Sequence, residues 1–177
     1  MKTVKIKDKE FTLSIESCCI NRVVNSIALR LNNDYKDEFP LIIVVLNGAF
    51  MFASDLLKQI NFLCEVSFVK INSYKGTETT NKINTLIGLN ENIKDRKIII
   101  IEDIVDTGNT ISFLIENIKE HQPASIKVCS MFCKTNTYKL NINIDYVGLV
   151  IPDDFIIGYG LDYDGHGRNF KDVYKLI

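Results

Sequence analysis

Apolar positions recur along this chain with two different periods. Ile20, Val23, Val24, Ile27 and Leu31 fall at i, i+3, i+4, i+7 and i+11, which predicts an amphipathic helix over roughly 17–32. Pro40 then introduces Leu41-Ile42-Ile43-Val44-Val45-Leu46, an unbroken run of β-prone residues. Such a run suits a strand covered on both faces, as in a parallel sheet. Asn47-Gly48-Ala49 interrupts it, and residues 50–59 read as a helix. Residues 63–73 and 83–88 read as strands, and the polar stretch between them as a mobile loop or a ragged hairpin. A second fully apolar run, Ile98 to Ile101, ends in acidic residues and leads into a helix at about 109–121. That helix carries Ile111, Leu114, Ile115 and Ile118 on one stripe. Ala124–Cys133 and Asp145–Ile151 are two further strands, residues 3–13 a strand or hairpin, and 152–177 irregular structure with short strands. Strands alternating with helices predict an α/β domain with a mainly parallel central sheet.

Composition changes this picture little. Hydrophobic residues make up 46% and charged residues 24% of 177, and 3 Pro and 9 Gly argue against a disordered or fibrous chain. The 21 basic and 22 acidic residues leave a formal charge of −1, which gives no support to a nucleic-acid-binding surface. The five cysteines are an odd number with no C-x-x-C, and the two histidines are isolated. That pattern fits free thiols in a reducing compartment better than a zinc site. The first seven residues alternate charged and apolar and lack the apolar core of a signal peptide. No apolar run approaches the ~20 residues of a membrane span. The expectation is a cytoplasmic protein of one domain, residues 1–177.

The chemistry concentrates at one strand end, Glu102-Asp103-Ile104-Val105-Asp106-Thr107-Gly108-Asn109-Thr110. In open α/β sheets ligands bind at the carboxyl ends of strands. The start of a helix offers free N–H groups and partial positive charge to a phosphate. Gly108 allows close approach, and Thr107 and Thr110 add hydroxyls. Three carboxylates would repel the same phosphate unless they face sugar hydroxyls or a bound Mg²⁺. A phosphorylated sugar with a metal is the ligand these residues describe. The Walker spacing and the dinucleotide glycine triple are both absent.

The same string closely resembles the phosphoribosyl-pyrophosphate signature of the type I phosphoribosyltransferases. More of the chain is similar to one branch, the hypoxanthine (hypoxanthine-guanine) phosphoribosyltransferases. Leu46-Asn47-Gly48-Ala49 looks like their pyrophosphate loop, and Ser73-Tyr74 like the pair opening their flexible catalytic loop. Lys134 sits where they place a purine-recognising lysine. Val147 to Tyr163, with Pro152-Asp153-Asp154-Phe155 inside it, matches their C-terminal hood, and Arg168 follows at the family's spacing. The resemblance implies a central sheet flanked by helices. It also implies a small hood from the N-terminal segment and about 152–177, and a lid loop.

The implied reaction joins hypoxanthine, and guanine, to 5-phosphoribosyl 1-pyrophosphate, giving IMP or GMP and pyrophosphate. Asp106, Lys134 and Tyr74 are the implied catalytic residues. Leu46, Asn47, Gly48, Ser73, Glu102, Asp103, Thr107, Gly108, Asn109, Thr110 and Arg168 would bind the sugar phosphate and pyrophosphate. Lys134, Phe155, Ile156 and Asp162 would bind the purine, and Glu102, Asp103 and Asp162 a Mg²⁺. The implied partners are these small molecules and further copies of the chain, as a homodimer or homotetramer, with neither nucleic acid nor membrane. Taken alone, Lys134 reads as a solvated charge and Phe155 as a core residue. Two departures stand out: Asn47 replaces a Lys or Arg common in relatives, and Ala49 replaces a second glycine. A non-catalytic regulator sensing the same sugar, and a transferase preferring xanthine or guanine, are the alternatives at this point.

Overall fold

The computed structural model describes residues 2–73, 83–88, 91–134 and 142–177. Tyr74 and most of the polar stretch expected to form the lid lie outside them. The elements run β1 (Thr3–Ile6), β2 (Lys9–Ile15), α1 (Ser17–Asp34), β3 (Leu41–Leu46), α2 (Phe50–Leu57), β4 (Glu65–Ser73) and β5 (Ile83–Ile87). They continue β6 (Lys97–Val105), α3 (Asn109–Glu120), β7 (Ser125–Lys134), β8 (Tyr146–Ile151), β9 (Ile156–Ile157) and β10 (Val173–Leu176).

Six strands form one sheet in the order β5-β4-β3-β6-β7-β8. The neighbours from β4 to β8 pair in parallel, and β5 closes one edge antiparallel to β4. The apolar runs behave as their composition demands. Leu41 to Val44 and Ile98 to Ile101 are each 0% exposed, because both faces of the sheet are covered. Ile42, Val44, Ile99 and Ile101 pack with α1 and α2 on one side, through Ile20, Val24, Leu31, Phe52 and Leu56. Leu41, Ile43, Ile98 and Ile100 pack with Ile111, Leu114 and Ile118 of α3 on the other. Each such side chain contributes about 1.5–3 kcal/mol on full burial.

Several boundaries shift by a residue or more from the pattern-based expectation, and two of the shifts bear on the site and its flanks. Strand β6 does not stop at Ile101 but runs through Glu102 and Asp103 to Val105. The pairing Glu102↔Ser130, Ile104↔Phe132 and Val105↔Cys133 with β7 carries it past the acids. Helix α2 ends at Leu57, two residues short of the expected end. The tail supplies β9 and β10, which join β1 and β2 in a second, antiparallel sheet of order β1-β2-β10-β9. Its core is Ile6, Phe11, Ile157 and Tyr174. All five cysteines are free thiols, and only Cys129 is fully buried.

Candidate active site

Strands β3 and β6 are neighbours, so their carboxyl ends open side by side into one cleft of about 430 Å³. The cleft is lined by Leu46, Asn47, Gly48, Glu102, Asp103, Asp106, Thr107, Gly108, Asn109, Thr110, Asp162 and Arg168. Lys70 and Ile71 of β4 complete one wall. The segments after β3 and β6, and the tail residues before β10, therefore meet at one place although they are far apart in sequence.

The turn after β3 brings the backbone close to an acid. The Leu46–Asn47 peptide bond is cis. A Cβ on Gly48 would lie 1.4 Å from Asp103 Oδ2, so only glycine leaves room for that carboxylate. Ala49, by contrast, has φ −72° and ψ −3°, an ordinary right-handed conformation, and is buried at the start of α2. The absence of a second glycine therefore costs the backbone nothing.

Beyond β6, Gly108 adopts φ 86° immediately before α3. That left-handed residue turns the chain into the helix, and the first residues of α3 line the cleft. Thr107 Oγ1 accepts a bond from the Asn109 N–H at 3.4 Å. The first turn of α3 carries no acidic side chain. Partial positive charge, amides and hydroxyls thus face the cleft without a competing carboxylate in the helix's first turn.

Glu102 is buried at 6% exposure, and among the described residues its Oε2 has no hydrogen-bond partner. Burial pushes its carboxyl well above the usual carboxylate range, and the adjacent Asp103 charge adds to the shift. Asp103 is also raised by burial, with its bond to Glu102, the Ile104 N–H at 2.8 Å and the Arg168 charge opposing the rise. A buried pair of adjacent carboxyls with an unused oxygen fits a cation or a hydroxyl donor. Mg²⁺ takes oxygen ligands and commonly uses only one or two carboxylates besides substrate oxygens.

Asp162 does not join that pair. Its Oδ1 meets Arg168 Nη2 at 2.6 Å, and its Oδ2 accepts the Gly165 N–H at 2.6 Å. Among the described residues no three His, Cys, Asp or Glu side chains form a group that could hold a metal. Glu102, Asp103 and Asp162 share one cleft without forming a three-carboxylate cage. Arg168 also donates to Gly160 O at 2.8 Å, which orients its guanidinium along the tail.

Lys134, at the end of β7, is 8% exposed and so is not the solvated charge its local sequence suggests. Its Nζ lies 3.2 Å from Asp106 Oδ2 and 3.1 Å from Asp153 Oδ1. Phe155 is 45% exposed. Its ring packs against Phe11 and Tyr163, with centroids 6.3 Å and 6.0 Å away, the second edge-on at 88°. Ile156 is buried in β9 and lines a different cavity, beside Cys18 and Pro152. Ser73 ends β4.

Three residues at this end of the sheet escaped the sequence reading. Lys70 is a charge inside a strand, opposite Leu46 in the register, and that interruption was its only local signal. Asp153 and Tyr163 stand within the hood-like string, but nothing local marks Asp153 as a partner for a lysine 19 residues earlier.

Residues 19–164 match the Phosphoribosyl transferase domain family. Hypoxanthine-guanine phosphoribosyltransferase of Bacillus subtilis is 38% identical over 158 residues, 89% of this chain and 88% of that protein. Hypoxanthine-guanine-xanthine phosphoribosyltransferase of Tritrichomonas foetus is 38% identical over 155 residues, 87% of this chain and 85% of that protein. The crystal structure of a Bacillus anthracis hypoxanthine-guanine phosphoribosyltransferase superposes with a TM-score of 0.88 at 34% identity, covering 98% of this chain and all of that one. The signature after β6 and the fold around it therefore have one explanation: the chain belongs to the phosphoribosyl transferase domain family.

Proposed function

We propose that this chain is a purine salvage transferase. It converts hypoxanthine, and guanine, with 5-phosphoribosyl 1-pyrophosphate into IMP or GMP and pyrophosphate. The observation that carries this reading is the single cleft in which the start of α3, the buried Glu102–Asp103 pair and Asp106 meet the Asn47–Gly48 turn. Each group of the sugar substrate has a chemically matched partner there. The names of several relatives, phosphoribosyltransferases of hypoxanthine alone or of hypoxanthine with guanine or xanthine, point the same way.

In this reading a purine nitrogen attacks C1 of the ribose, the C1–oxygen bond breaks, and pyrophosphate leaves with the bonding electrons. Backbone amides at Thr107 to Thr110, with the threonine hydroxyls, hold the 5-phosphate at the positive end of α3. Leu46, Asn47 and Gly48 offer main-chain groups to the pyrophosphate, and Arg168 its guanidinium. Glu102 and Asp103 accept from the ribose hydroxyls and face the positive charge that grows on the sugar. Asp106 takes or returns the proton at purine N7. Lys134 donates to the oxygen on purine C6. An ammonium has no lone pair, so it disfavours the 6-amino group of adenine. Phe155 stacks on the base, Ile156 offers main-chain groups to its edge, and Asp162, which lines the cleft, serves the purine side. Ser73 and Tyr74 belong to the lid that excludes water during transfer.

Glu102 and Asp103 would hold a Mg²⁺ together with substrate oxygens, and a metal bound there would supply charge neutralisation for the departing pyrophosphate. Asp162 would be available to the metal only without its ion pair to Arg168. The small antiparallel sheet acts as the hood of a single transferase domain, residues 1–177. The enzyme works in the cytoplasm as a homodimer or homotetramer; no helix among the described residues is long and apolar enough to cross a membrane.

The test is an assay with radiolabelled hypoxanthine, guanine, xanthine and adenine, each with the sugar pyrophosphate and Mg²⁺. Nucleotide is expected from hypoxanthine and guanine and not from adenine. No product from any base would overturn the proposal.

A further inference from the structure

The register of the central sheet aligns three strand ends. Val105 of β6 lies opposite Cys133 of β7, so Asp106 leaves the sheet beside Lys134. Lys134 lies opposite Ile151 of β8, and the chain then turns through Pro152 to Asp153. The Lys134 ammonium is therefore bracketed by carboxylates from the strands on both sides, Asp106 at 3.2 Å and Asp153 at 3.1 Å. The Lys134 side chain is 10% exposed, whereas those of Asp106 and Asp153 are 48% and 51% exposed. Next in the chain, Asp154 pairs with Lys175 of β10 at 3.3 Å, and Phe155 follows directly.

We infer that Asp153 is a positioning residue for base selection: it holds the Lys134 ammonium from the β8 side, two residues before Phe155, when Asp106 turns to the purine. The inference rests on the functional reading above. A buried ammonium that loses its only carboxylate becomes an uncompensated charge, which is costly. If Asp106 were the sole partner, the ammonium would follow it as it turned to N7 and would lose its aim at the C6 oxygen. With Asp153 in place, Asp106 can rotate toward the base while Lys134 stays paired. Its other N–H bonds then remain aimed at the C6 oxygen. Asp153 also joins the lysine to the strap that carries Phe155. The edge-reading donor and the stacking ring become one unit, pinned to β7 by Asp153 and to β10 by Asp154.

The effect should be specific to bases that carry an oxygen at C6. Replacing Asp153 by Asn keeps the shape and removes the charge. The KM for hypoxanthine in Asp153→Asn is expected to rise about fivefold, the upper end for a half-exposed ion pair. The KM for the sugar pyrophosphate and kcat should stay within twofold. Unsubstituted purine, tested as a competitor of hypoxanthine, should bind wild type and Asp153→Asn equally, since it offers Lys134 no oxygen. Asp153→Glu restores the charge and should recover most of the hypoxanthine KM. An unchanged hypoxanthine KM in an active Asp153→Asn protein would overturn the inference alone. So would an equal loss for unsubstituted purine, which would mark a general disturbance of the strap. A wild-type chain that makes no nucleotide from hypoxanthine would remove the functional reading, and this inference with it.

Discussion

A glycine and an aspartate separate the two halves of the proposed reaction at the level of single residues. Gly48 exists for Asp103: a methyl group there would occupy the position of the Asp103 carboxylate. The side chain of Asp103 can swing away, so Gly48→Ala should fold. It should bind the sugar pyrophosphate about tenfold more weakly, because a displaced carboxylate loses its bonds to the ribose, each charged bond being worth about 1.5–3 kcal/mol. Steady-state kinetics with varied sugar substrate measures this directly, and an unchanged KM would dissociate Asp103 from the sugar. Asp106→Asn addresses the other half. It retains a hydrogen-bonding group opposite Lys134 but cannot carry the proton. Turnover should fall by roughly tenfold or more, within the usual range for a lost general acid or base, with the fold intact by circular dichroism. Unchanged turnover would show that Asp106 moves no proton. Both residues were marked in the sequence by their local strings, Asp106 within Glu102–Thr110 and Gly48 within Leu46–Ala49. Asp153 was not. Its partner lies on another strand, and only the sheet register brings the two together.

Boundaries and caps belong to the scale of elements, where the legible and the hidden divide by distance along the chain. Helix α1 and strands β3 and β6 announce themselves because periodicity and unbroken apolar runs are local properties. The extension of β6 through Glu102 was hidden, because its pairing with β7 overrides the polar character of the acids. The short strands β9 and β10 have too few residues to show a period, and β10 pairs with β2, some 160 positions earlier. The start of α1 shows the same dependence. Glu16 makes no side-chain cap bond there. Instead Asp172, beside β10, accepts the Ser17 N–H at 2.7 Å across 155 residues. That bond lowers the Asp172 carboxyl below its ordinary value of 3.8, with Lys2 assisting. A depressed carboxylate stabilises the fold above its unfolded pKa and loses that contribution as pH falls through the folded value. Asp172→Ala should therefore cost about 1 kcal/mol at neutral pH, the usual size of a lost helix cap. The difference from wild type in chemical denaturation should begin to shrink below about pH 3.8, where the unfolded acid takes up its proton, and should be gone only below the depressed folded value, where the acid is protonated in both states. A deficit that persisted unchanged in strong acid would mean that packing at this corner matters and the charge does not.

The whole molecule poses an electrostatic problem: a chain of net charge −1 is proposed to take a substrate carrying two phosphorylated groups. The cleft holds more carboxylates than cations. Glu102, Asp103, Asp106 and Asp162 face Arg168 and Lys70, and Arg168 is already engaged by Asp162. The amides at the start of α3 can bind one phosphate, but they cannot neutralise a pyrophosphate next to buried acids. Affinity for the sugar substrate should consequently depend on a divalent cation bound with it. That dependence reaches the stability of the whole fold, because the ligand would bridge the turn after β3, the end of β6 and the tail at Asp162 and Arg168. The contact between these parts is tight: a Cβ on Gly160 would lie 1.9 Å from Gly48 O. A ligand at a hundred times its Kd stabilises the native state by ~2.7 kcal/mol. For a chain of this size that corresponds to a Tm increase of about 5–10 °C. Phosphoribosyl pyrophosphate with Mg²⁺ should produce that increase in a thermal melt. The same concentration with a chelator should produce little, since the buried Glu102–Asp103 pair would then meet the substrate as like charges. Equal shifts in the two conditions would mean that backbone amides and Arg168 suffice, and that the acidic pair serves the ribose hydroxyls without a metal.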